Sequence, residues 1–186
     1  MWTPWSAPSR LRNSCSPQSS ESAPNDGASP VSGVAPFTAS IGAMYQDALL
    51  AHHRAPHNRR VIEAPTASGV RKNPVCGDEI TVTVSLQAGI VHDVAFTGRG
   101  CSISTASASM MTDAVLSLAV SDALAVADAV DRMLRQALGE IGSVDALPQP
   151  LPEALTPLRG VAPFPGRHGC AMLPWQALRE ALAAKR

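Results

Sequence analysis

Net charge is the first thing this chain lacks: fifteen Lys and Arg stand against fifteen Asp and Glu. The basic residues are also scattered rather than clustered. That excludes the electrostatic footprint of a nucleic-acid or anionic-membrane binder. Aromatic residues make up only 4% of the chain, so a core must be built from aliphatic and small side chains. Four cysteines in 186 residues are too few for a secreted disulfide scaffold, which points to reduced thiols in the cytoplasm. No apolar run is long enough to span a bilayer. There is no internal repeat, no Cys-x-x-Cys pair, and no Gly-x-Ser-x-Gly elbow in the Ser/Ala run of residues 102–109.

What is present divides in two. Met1–Ser40 is rich in Ser, Pro, Ala and Gly and has little periodicity. Such a segment buries too little apolar surface to offset its ordering entropy. It has no apolar h-region and so is not a secretory signal. We expect a disordered extension over residues 1–40, or an upstream start codon, with Cys15 incidental, and a folded domain over residues 41–186. Ala43–Arg54 reads as a helix stopped by Pro56. A short strand is expected around Gly69–Lys72. Glu79–Leu86 alternates, with Ile80, Val82, Val84 and Leu86 on one face. Ala88-Gly89 makes a turn into Ile90–Thr97, where Ile90, His92, Val94 and Phe96 share a side, so the two form an antiparallel hairpin.

Helices follow. Ser102–Leu118 is a helix of small residues. Ser121 N-caps another, which runs to Leu138 before Gly139 and carries the stripe Leu124, Ala127, Val130 and Leu134. Pro148, Pro150, Pro152 and Pro157 leave at most a short helix between them. Pro163–Gly166 is a break, and Leu173–Lys185 is a last amphipathic helix. The fold class is therefore α+β: a small antiparallel sheet of about three strands with helices packed on one face.

Three cysteines sit in unlike settings, in Asn73-Pro74-Val75-Cys76-Gly77-Asp78, Gly100-Cys101-Ser102-Ile103-Ser104 and Arg167-His168-Gly169-Cys170-Ala171. Cys76 precedes the first hairpin strand and Cys101 follows the second. Antiparallel pairing sets those ends side by side. Cys101 stands at a helix N-terminus, where unpaired N–H groups and the helix dipole favour thiolate. Cys170 is expected just ahead of the last helix. If the three thiols converge, Asp78 is the natural fourth ligand of a site suited to Zn²⁺. If they do not, each is a small buried hydrophobe. His168 reads as a loop histidine that could also enter such a site, and His92 as a packing residue. His52, His53 and His57 gather at a helix C-terminus, where the dipole favours cations and no site is needed. Asp113, Asp122 and Asp128 read as solvated helix residues.

The three motifs, together with the run on to Met110-Met111, Cys170-Ala171-Met172-Leu173 before Trp175, and Tyr45, His52, Pro56 and Asn58, resemble the SufU proteins of iron–sulfur cluster assembly, within the wider IscU/NifU-type family. The resemblance covers residues 42 to 182. It implies that Cys76, Asp78, Cys101 and Cys170 hold zinc, and that Cys76 accepts persulfide sulfur from a pyridoxal-phosphate cysteine desulfurase of the SufS-like kind. The activity would be a sulfurtransferase-like relay rather than an ordinary enzyme. The alternative it implies is a scaffold on which Cys76, Cys101 and Cys170 carry a transient [2Fe–2S] cluster, passed to apoproteins or other assembly proteins. Departures matter. IscU-type proteins have histidine, and SufU proteins typically lysine, where Gly169 stands. Arg167 and the stretch Leu138–Pro165 match the SufU branch. Pro174 is tolerable only in a first helical turn.

Overall fold

Alternation along Glu79–Gln87 settles the centre of the molecule: Ile80, Val82 and Val84 are buried, while Thr81, Thr83 and Ser85 between them are half-exposed. Successive strand residues point to opposite faces, so the three aliphatic side chains supply one apolar floor. The computed structural model describes residues 46–136 and 151–183. In chain order these form helix α1 (46–54), strands β1 (Ala67–Lys72), β2 (Glu79–Gln87) and β3 (Ile90–Arg99), helices α2 (Ser102–Val115) and α3 (Val120–Gln136), a 3₁₀ helix (Glu153–Val161) and α4 (Pro165–Ala183). The extension with Cys15, and Tyr45, Gly139, Pro148 and Pro150, fall outside the described residues.

The sheet has the order β1-β2-β3, antiparallel throughout. Helix α4 packs across β1 and β2, α2 packs on β3 and against α4, and α3 packs against α4. Their buried faces meet the sheet floor in a single aliphatic cluster with Trp175 and Phe96 as its largest side chains. The expected three-stranded α+β architecture is therefore the observed one. Gly69 allows the closest helix–sheet approach: a Cβ there would lie 2.1 Å from the Ala177 carbonyl oxygen. Among the described residues no helix is long and apolar enough to cross a membrane.

Four sequence expectations are corrected. The first is the face of β3. Ser85 pairs with Asp93 but Leu86 pairs with Val91, so His92 is an extra residue in the strand. This β-bulge shifts the side-chain parity. Val91 turns inward with Val94 and Phe96, while Ile90 and His92 face solvent, and His92 has no packing role. The second is α3, which starts at Val120, leaving Ser121 inside the helix with its hydroxyl on Asp122 rather than at the N-cap. The third is the end of α2 at Val115 rather than Leu118; Ser117 has left-handed backbone (φ 66°).

The fourth is α4. It begins at Pro165, two turns earlier than the pattern from Leu173 implies, and Cys170 lies within it rather than ahead of it. Pro165 fits the first helical position, where its missing N–H costs nothing. Pro174 stands in the interior, where it removes the hydrogen bond that would end on the Cys170 carbonyl. The helix continues because its flanks are anchored elsewhere. Ser107 of α2 donates to the Ala171 carbonyl at 2.7 Å and accepts from the Trp175 indole at 3.1 Å. Both bonds are buried, and burial of Leu173, Trp175 and Leu178 opposes the local penalty.

Candidate metal centre

The β1–β2 connection is built by Asn73. Its side-chain oxygen accepts from the Val75 N–H at 3.0 Å, its carbonyl from the Gly77 N–H at 2.8 Å, and its own N–H donates to the Asp78 carbonyl at 2.8 Å. An asparagine that bonds its own turn in this way is a common device for reversing a chain. Gly77 takes φ 72°, a conformation glycine adopts without a steric penalty. The turn lifts Val75, 91% exposed, and Cys76, also exposed, to its tip. It leaves Asp78 buried at its base.

Asp78 faces the start of α2. Its Oδ2 accepts from the Cys101 N–H at 3.0 Å and from the Ser104 hydroxyl at 2.8 Å. Cys101 is the N-cap residue of α2 but makes no side-chain cap of its own. The carboxylate therefore satisfies the helix end from a different strand, where an anion is also favoured by the dipole. Burial by itself would raise the Asp78 pKa. The bonds from the Cys101 N–H, Ser104, and the Cys101 and Cys76 thiols outweigh it and hold the carboxyl below its ordinary range.

Cys170 reaches the same point from the second turn of α4. Its sulfur is 3.8 Å from that of Cys76 and accepts a long contact from the Asn73 amide at 3.8 Å. Cys76, Asp78 and Cys170 each offer a ligand atom within 4.8 Å of the others. Cys101 adjoins them through Asp78 and lies close enough to Cys170 to raise the cost of ionising it. Burial, then the neighbouring Cys101 and Cys76 thiols, push the Cys170 thiol up to about 12. Exposure is graded: Cys76 exposed, Cys101 intermediate, Cys170 buried. Cys76, Asp78 and Cys170 thus meet at one end of the sheet, with Cys101 beside them through its bond to Asp78.

His168 does not join them; its Nε2 bonds the Ala162 carbonyl at 2.8 Å and so ties the start of α4 to the preceding turn. Gly169 lies against the centre, and a Cβ there would be 3.3 Å from the Asn73 amide nitrogen. Sequence reasoning overlooked Asn73 and Ser104 as residues that shape the site. Asn73 two residues ahead of an exposed N–H is a turn signal that was legible; the reach of Ser104 to Asp78 was not.

The donor set fits a thiophilic cation. Two thiolates on one tetrahedral zinc, each bonded at about 2.3 Å, stand about 3.8 Å apart, the separation seen between Cys76 and Cys170. A buried Cys170 thiol that resists ionisation beside a carboxylate held ionised is a pairing that a divalent cation relieves. Fold and site together define a small α+β domain with a candidate metal centre of two thiols and one carboxylate, and a third thiol adjoining it.

Comparison with known proteins gives that class a family. Residues 44–148 match the NifU-like N-terminal domain. The chain is 39% identical over 142 residues to the iron–sulfur cluster assembly scaffold protein IscU of Streptococcus pyogenes serotype M1, covering 76% of this chain and 84% of that one. It is 34% identical over 151 residues to the zinc-dependent sulfurtransferase SufU of Bacillus subtilis strain 168, covering 79% and 95%. Among solved structures it is similar to FiSufU of Fervidobacterium islandicum AW-1, with TM-score 0.63, 26% identity, and 75% and 97% coverage. The fold is shared with a NifU-like N-terminal domain of Brucella abortus, with TM-score 0.65 and 22% identity over 78% of this chain and 99% of that one. The chain belongs to the NifU-like N-terminal domain family, among relatives named IscU and SufU.

Proposed function

We propose that this chain is an iron–sulfur cluster assembly protein that accepts persulfide sulfur from a pyridoxal-phosphate cysteine desulfurase in the cytoplasm, with Cys76, Asp78, Cys101 and Cys170 as ligands of a resident zinc. The observation that carries the reading is the placement of one exposed thiol, Cys76, at a turn tip, 3.8 Å from a buried one. A partner can reach Cys76 without opening the core. Its neighbour Val75 adds an exposed apolar contact beside it. The near-complete coverage of a zinc-dependent sulfurtransferase supports the same reading.

Bound zinc supplies deprotonated, restrained thiolates at neutral pH. The residues do the rest. Cys76 attacks the terminal sulfur of the desulfurase persulfide. A Cys76 S–S bond forms, the S–S bond on the desulfurase breaks, and its cysteine thiolate leaves. Asp78 is held in place, and its anion favoured, by the Cys101 N–H and the Ser104 hydroxyl.

A second reading is a scaffold in which Cys76, Cys101 and Cys170 hold a transient [2Fe–2S] cluster as cargo for apoproteins. It is supported by the relative named a scaffold protein IscU, 39% identical over 142 residues. Against it stands Gly169, which puts no side-chain donor directly beside Cys170, while His168 is spent on the Ala162 carbonyl. The test is a desulfurase assay with zinc-loaded protein beside its Cys76→Ala, Asp78→Ala, Cys101→Ala and Cys170→Ala variants, with the metal content of each measured. Tight zinc and stimulation lost in Cys76→Ala support the relay. A reconstituted cluster transferred to an apoprotein at a useful rate supports the scaffold. No loss in any variant rejects both.

A further inference from the structure

A second cluster of ligating side chains lies at the other end of α2. Asp113 belongs to the last turn of that helix, twelve residues beyond Cys101, which is about 18 Å along the axis. Facing it are His52 of α1 and His57 of the connection after α1. The His57 Nδ1 is 2.6 Å from Asp113 Oδ2, and the His52 and His57 rings lie with centroids 4.8 Å apart at a tilt of 57°. One ligand atom from each of the three residues lies within 4.8 Å of the others. The rings are tilted rather than stacked, so no face-to-face ring contact accounts for their being side by side. A hydrogen bond accounts for His57 and Asp113 but does not call for the His52 ring beside them.

The cluster is held from behind. Ser109, fully buried one turn before Asp113, takes both the His57 N–H at 2.7 Å and His52 Nδ1 at 2.8 Å on its hydroxyl. The Asn58 amide, on a residue with φ 55°, donates to the Thr112 hydroxyl at 3.1 Å and to Asp113 Oδ1 at 3.4 Å. Asp113 thus has one oxygen toward His57 and the other steadied by Asn58. Partners of this kind, which orient ligands without touching the ion, accompany histidine–carboxylate metal sites. The front is open: the His57 and Asp113 side chains are 58% and 38% exposed. Imidazole nitrogens select borderline first-row metals over Ca²⁺ and Mg²⁺, which require oxygen cages.

We propose that His52, His57 and Asp113 form a second cation site, for a divalent first-row transition metal, with two imidazole nitrogens and one carboxylate oxygen from the protein and water in the remaining positions. The site is separate from the thiol centre in place and in donor chemistry. It takes harder ions at an exposed surface, where exchange with solvent is rapid.

The experiment is a Co²⁺ titration of the full, tag-free chain already loaded with one equivalent of Zn²⁺. The expected result is a second equivalent bound without any sulfur-to-cobalt charge-transfer band, with paramagnetic broadening of the His52 and His57 ring signals. His57→Arg keeps a hydrogen-bond donor for Asp113, and so the packing of α1 on α2, while removing a ligand nitrogen. It should weaken this second equivalent at least tenfold and leave the thiol centre's zinc unchanged. His53→Ala, at an exposed neighbour, should change neither. Failure to bind a second equivalent overturns the proposal, as does a second equivalent that His57→Arg weakens less than tenfold or that His53→Ala removes.

Discussion

The two ends of α2 make an instructive pair. At its N-terminus, residues from a turn, a helix cap and a distant helix gather around Asp78, and the thiol nearest the core, Cys170, is buried. At its C-terminus, two histidines from one short stretch meet Asp113 at an open surface. The first site depends on how the whole domain packs, because α4 must rest on β1 and β2 to deliver Cys170. The second depends only on α1 and its following loop lying on α2. Burial makes Cys170 hard to ionise, and the thiols of the first cluster suit a thiophilic ion. Exposure leaves the second ready to exchange. One helix thereby has a partly buried cluster of thiols at one end and an open histidine–carboxylate cluster at the other.

The largest effect that would sharpen this contrast is on activity. Cys76→Ala should abolish stimulation of a partner desulfurase while circular dichroism and the melting curve stay close to the parent, since Cys76 is exposed and supports no packing. Retained stimulation would break the assignment of that end of α2 to sulfur transfer. Next is Gly69→Ala. The added methyl would meet the Ala177 carbonyl oxygen at 2.1 Å, forcing α4 off the sheet, and overpacking of this kind costs about 1–3 kcal/mol. Zinc affinity at the thiol centre should fall with stability, whereas the His57–Asp113 pairing, followed by NMR, should persist.

Asp78→Ala comes third. Loss of a capping acceptor costs about 1 kcal/mol, read from denaturant unfolding of the metal-free protein. Asp78→Asn should recover much of that stability but not the zinc affinity, because it can still accept from the Cys101 N–H without the charge.

The smallest effect is in pH dependence, and it separates the two ends. Burial, and then the charge of His57, lower the His52 pKa below 6.5, with Asp113 opposing. A folded state that prefers neutral His52 is less favoured wherever the unfolded chain binds the proton more readily. That contribution is absent above 6.5 and destabilises progressively as pH falls below it. The depressed pKa of Asp78 works in a lower window: its stabilisation is complete above 3.8 and is lost as pH falls through the folded-state value. In the metal-free protein, His52→Gln should flatten the upper slope of stability against pH and leave the lower one unchanged. A single slope lost in both variants would show that the two ends are not independent.

Much of this was legible in sequence, and the failures have particular causes. The alternation in β2 and the turn at Ala88-Gly89 placed the hairpin, and from that the approach of the Cys76–Asp78 turn to Cys101. Strict alternation then misassigned Ile90 and His92, because the bulge at His92 has no local signature. The break at Pro163–Gly166 and the proline at Pro174 argued for a late start to α4. Local penalties of that kind amount to about 1 kcal/mol for glycine and 3 for proline, and they are overridden by the burial of Leu173, Trp175 and Leu178 and by Ser107 bridging to Ala171 and Trp175. Reading His52 and His57 as cations for a helix dipole missed their true partners, Ser109 and Asp113, more than fifty residues away.

By itself the sequence determined the elements of the sheet, the aliphatic character of the core, and the chemical type of the thiol centre, since residue types and side-chain periodicity are local properties. The tertiary structure alone decided which thiol is exposed, that Asp78 caps α2, that Cys170 lies inside a helix, and that histidines and Asp113 meet. Those outcomes depend on contacts between segments far apart in the chain, where packing free energy outweighs local preference.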